Sequence, residues 1–80
     1  MTTMRAKMKV TSVTIREGHE VLELQAVCKV GGYPEDGTDE DNTFAKWTPT
    51  ATAIYTITNP ALHGKFKPGQ KFYLDFTEVE

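Results

Sequence analysis

The chain has 80 residues and a mass of 9.0 kDa, a single domain that buries roughly 60% of its unfolded surface, which excludes a deep cleft between lobes. Hydrophobic residues make up 39% and charged residues 25%, with no apolar run near the length of a membrane span and no apolar stretch at the start like that of a secretory signal. The net charge of −2 is unevenly spread: residues 31–45 hold Glu35, Asp36, Asp39, Glu40 and Asp41 with no basic residue, and the rest is mildly basic.

Alternation with period two dominates the chain and predicts strands. Met4, Ala6, Met8 and Val10 share one parity, and Val13 and Ile15 the other. A one-residue slip would turn every later side chain to the wrong face, so an extra residue must be absorbed at Thr11–Ser12 as a β-bulge. A second run, Val21 to Val30, places Leu22, Leu24, Ala26, Cys28 and Val30 on one face. The two runs read as a hairpin around Glu17-Gly18-His19-Glu20, with Ile15 opposite Leu22, Val13 opposite Leu24, Val10 opposite Ala26 and Met8 opposite Cys28.

Residues 31–49 lack periodicity and form a long acidic and aromatic loop, the kind of segment that carries function. A third strand is predicted from Thr50 to Thr58. Asn59-Pro60-Ala61-Leu62-His63-Gly64 reads as one helical turn, with Asn59 as cap, Pro60 at its first position and Gly64 as a left-handed stop. Lys67-Pro68-Gly69-Gln70 reads as a type II turn. A last strand runs from Lys71 to about Val79, with Phe72, Leu74 and Phe76 facing in. The fold class is therefore all-β: a small antiparallel sheet or barrel of four to five strands with one short helical turn.

Catalytic groups are not assembled by any motif spacing. Cys28, the single cysteine, alternates with Leu24 and Ala26 and is expected to be a small buried hydrophobe, consistent with a reducing cytoplasm. His19 and His63 sit in predicted turns without zinc-ligand spacing, and the acidic stretch lacks the order of a calcium loop. No metal, no cofactor and no catalytic residue are expected. The acidic loop reads as a solvated face or, alternatively, as a mimic of phosphate charge. Arg5, Lys7 and Lys9 form a basic stripe that would suit an anion only if it met the threonine row of the third strand.

The segment Asn42-Thr43-Phe44-Ala45-Lys46-Trp47-Thr48-Pro49 is the most informative. Its two aromatics either lid the open sheet or mark a contact surface. The candidate binding residues are Phe44, Lys46, Trp47 and Thr48, with Tyr33. The overall acidity weighs against a nucleic-acid partner, and no membrane partner is expected.

The order of features, M-R-A-K-M-K-V at the start, D-N-T-F-A-K-W-T-P-T-A in the middle and I-T-N-P-A-L-H-G-K-F-K-P-G-Q-K-F-Y-L-D-F at the end, resembles small, mostly uncharacterised proteins encoded by tailed bacteriophages. The resemblance covers nearly the whole chain. It implies the cytoplasm of an infected bacterial host, with the virion as a second location, and carries over no site residues. The expected function is a non-enzymatic accessory protein that captures or blocks a host protein or a small anionic signalling ligand. A structural virion component and a single-strand nucleic-acid-binding β-barrel are the alternatives. An open sheet that must bury its apolar face leads to a homo-oligomer as the further expectation.

Overall fold

The computed structural model describes residues 3–80. Four antiparallel strands form one curled, half-barrel sheet in the order β3-β2-β1-β4: β1 (Thr3–Arg16), β2 (His19–Ala26), β3 (Thr52–Ile57) and β4 (Lys71–Thr77). A 3-10 turn, η1 (Pro60–Leu62), follows β3, and the Asn59 side chain accepts from Ala61 N–H as the predicted cap. Gly64 has φ +77, the predicted left-handed stop.

The bulge lies where the parity change placed it, with the register of β1 against β2 shifting between Val10 and Ser12. The hairpin turn is tighter than expected. Arg16 pairs with His19 across Glu17-Gly18, so Ile15 faces Glu20, Val13 faces Leu22 and Val10 faces Leu24. Every expected pair is displaced by two residues. A two-residue shift preserves parity, so each side chain keeps its predicted face.

The concave face holds the core: Ala6, Met8 and Val10 of β1 with Leu22 and Leu24 of β2, all buried. Phe44 from the long loop and Phe66 from the β3–β4 connection pack against this cluster. That connection is clasped to the hairpin, because the buried Glu20 carboxylate accepts Gly64 N–H at 2.9 Å. Its other oxygen is buried without a hydrogen-bond partner.

The cover is incomplete. The Cα atoms span 48 × 35 × 15 Å with a radius of gyration of 14.5 Å. A compact chain of this length has about 12 Å. Phe72 and Phe76 of β4 face the concave side as predicted, yet Phe76 is 57% exposed. Among the described residues, no helix is long and apolar enough to cross a membrane.

Candidate functional site

The long loop is built around the point where β2 stops. After Ala26 the chain leaves the sheet, with Val27 N–H still donating to Lys7 O at 2.9 Å. Asn42 and Thr43 then take the place of β2 beside the start of β1. Lys7 N–H donates to Asn42 Oδ1 (2.9 Å), Thr43 N–H donates to Arg5 O (2.9 Å), and Arg5 N–H donates to Thr43 Oγ1 (2.8 Å). Asn42 is fully buried, and its Nδ2 donates to Val27 O and to Asp39 Oδ2. One amide side chain thus satisfies backbone groups that a strand would otherwise pair. The Asn42 hydrogen bond is the main reason the Asp39 carboxyl is held below its ordinary value.

This arrangement overturns one expectation and narrows another. Cys28 is exposed, because β2 ends two residues before it and no partner strand continues there. The acidic stretch is only partly the solvated face expected: Glu35, Asp36 and Glu40 are exposed, whereas Asp39 is buried and Asp41 half-buried in bonds. Asp41 accepts the Tyr73 hydroxyl at 2.7 Å and lies 3.5 Å from Lys7 Nζ, while Glu40 lies 3.4 Å from Lys29 Nζ. Lys7 of the basic stripe is its counterpart on β1, a long-range pairing invisible to local pattern. Arg5 is forked onto Asp75 of β4 (2.7 and 3.1 Å) and stacks over Tyr73, 4.2 Å from the ring centre. That fork holds the Asp75 carboxyl below its usual value, and Asp41 raises the Tyr73 hydroxyl above its own. β2 separates β1 from β3, so the basic stripe and the threonine row do not meet as one anion site.

The predicted binding residues divide. Phe44 is half-buried against the core and acts as a lid. Tyr33 is also half-buried, its hydroxyl accepting from Lys29 N–H at 3.2 Å, and it closes its own turn. Trp47 is different. Its backbone has φ +57, the left-handed region, where a bulky residue is a genuine outlier. Trp47 N–H donates to Gly37 O at 2.8 Å, and the indole lies across Gly37 so closely that a Cβ there would meet ring atoms at 2.5 to 2.8 Å. Gly37 has φ +75, so glycine is required twice over, for backbone and for space.

Although pinned from below, Trp47 leaves 52% of its surface exposed. Lys46 and Thr48 flank it and are exposed, and the Lys46 charge acts on Asp36, whose carboxyl is lowered chiefly by its bond from the Thr38 hydroxyl. The site is therefore an indole platform seated on Gly37 and edged by an ammonium, a hydroxyl and the Asp36–Thr38 turn. Gly37 and Asp36 belong to it, and the Asp36-Gly37 turn dipeptide was the sequence signal for them. Such a platform can stack on a planar or apolar group and pair with a nearby negative charge.

A second feature is an apolar groove of about 250 Å³ on the concave side, lined by Leu22, Leu24, Tyr55, Leu62, Phe66 and Phe72 among others. Among the described residues, no group of three His, Cys, Asp or Glu side chains is placed to hold a metal ion. No protein-family model matches the chain, and comparison with curated proteins and with solved structures finds no significant match.

Proposed function

We propose that this chain is a non-enzymatic binding protein that captures or blocks a host component, a protein or a small anionic ligand, through Trp47 and Lys46. Its setting is the one the sequence resemblance implies, a phage accessory protein in an infected bacterial cell. The observation that carries the reading is the pinned, half-exposed Trp47. A left-handed tryptophan costs backbone strain, and strain of this kind concentrates where a side chain is presented for use. Tryptophans in rigid settings are also the residues whose truncation most weakens interfaces.

Arg5 and Lys7 are already matched to Asp75 and Asp41, which weighs against phosphate-backbone binding. A structural virion component is the second reading. It draws on β3, an exposed edge strand with no charged residue. Stoichiometric presence in purified particles would favour it.

The test is a capture experiment with purified protein and extracts of infected cells. Trp47→Ala and Lys46→Ala are each expected to reduce the captured species by about tenfold or more. Both variants retaining it at the wild-type level would remove the platform from the account.

A further inference from the structure

The loop platform leaves the open face of the sheet unexplained, and that face carries an inference independent of it. The chain exposes 5790 Å² of surface. A compact 9.0 kDa protein exposes about 4,900 Å². The excess, roughly 900 Å², is close to the ~800 Å² that each partner buries in a standard interface. Much of it is apolar: Phe76 on the concave side, Tyr55 (50% exposed) on the same side, and Ile54 (64% exposed) on the convex side.

The edge strand β3 shows where a partner would join. Exposed edges are normally guarded by charges, proline or a bulge. β4 carries Lys71 and Asp75, whereas no Asp, Glu, Lys or Arg occurs from residue 47 to residue 64. Ala51 O accepts from Ala26 N–H, so alternate residues Ala53, Tyr55 and Ile57 direct their backbone groups to β2. Thr52, Ile54 and Thr56 direct theirs outward.

We infer that the chain forms a two-fold dimer in which β3 pairs antiparallel with the β3 of a second copy, centred on Ile54. In that register Ile54 lies opposite the partner's Ile54, and Thr52 lies opposite the partner's Thr56. Tyr55 lies opposite the partner's Ala53. Each pairing is self-complementary: aliphatic on aliphatic, hydroxyl on hydroxyl, large on small. The joined sheet has eight strands, the number at which a closed barrel has an interior just filled by side chains. Continuing the curl of each half brings the concave faces together, so Tyr55, Phe72 and Phe76 of both copies enter one interior.

Sedimentation equilibrium of the intact protein tests this, with a particle of twice 9.0 kDa expected at about 100 µM. Ile54→Lys puts two ammonium groups at the two-fold and is expected to halve the mass with the far-ultraviolet circular dichroism unchanged, since Ile54 is exposed within one copy. In a Cys28→Ser background, mild oxidation is expected to crosslink Ile54→Cys, whose α-carbons would lie about 5.5 Å apart, and not Thr52→Cys. A 9.0 kDa particle at that concentration, with or without a bound apolar molecule, would overturn the inference. So would an Ile54→Lys dimer, an open polymer, or equal crosslinking at both positions.

Discussion

At the scale of single residues, two glycines with nearly the same backbone serve different ends. Gly18 has φ +81 with nothing near its missing Cβ, and Gly37 has φ +75 with the Trp47 ring against it. Gly18→Ala is therefore expected to cost about 1 kcal/mol of conformational strain and to leave tryptophan emission unchanged. Gly37→Ala must in addition displace the indole, so a larger loss of stability and a shifted emission are expected. Because the chain has a single tryptophan, the spectrum reports that site alone. Equal losses with identical spectra would mean that the ring does not rest on Gly37. The residue types of the platform were legible: Lys46, Trp47 and Thr48 stood out as an aromatic–polar cluster outside any strand. Its support was not, because a left-handed tryptophan over a glycine ten positions earlier leaves no periodic trace. Phe44 and Trp47 look alike in sequence, yet one closes the core and the other faces solvent, and only the loop's path separates them.

Among the elements, the long loop substitutes for a strand. Asn42 carries that substitution, so Asn42→Ala leaves Lys7 N–H and Val27 O without their partner and is expected to cost about 2–4 kcal/mol in urea unfolding. A loss below about 0.5 kcal/mol would show that water replaces the amide without penalty. The loop also shows how far alternation can be read. The faces of β1 and β2 and the bulge were legible because parity is a strict property of a pleated strand. The turn length was not, since a hairpin shifted by two residues satisfies the same parity. Cys28 continues the alternation of β2 in sequence but has no strand beside it. Where a strand ends depends on what occupies its neighbour's edge, here Asn42 and Thr43, and that is set by contacts some 35 residues apart along the chain.

For the whole molecule, charge and shape each set an expectation. Asp36, Asp39 and Asp75 all have carboxyls lowered from 3.8 by hydrogen bonds in the folded state. Groups lowered by folding stabilise it above their unfolded value, and that contribution fades as pH falls through the folded values. Stability is therefore expected to hold from neutral pH to somewhat above 3.8 and to decline below it, with a shallower decline in Asp39→Asn. An unchanged acid limb in that variant would take Asp39 out of the explanation. The half-barrel shape, with an incompletely covered concave face and one unguarded edge, underlies the dimer inferred above, while Trp47 is presented from a loop outside the sheet. Native mass spectrometry of the protein as purified from bacteria, with the same sample run denatured, tests both together. A dimer of twice 9.0 kDa is expected, carrying a captured component that is released on denaturation and absent from Trp47→Ala. A bare 9.0 kDa monomer would contradict it.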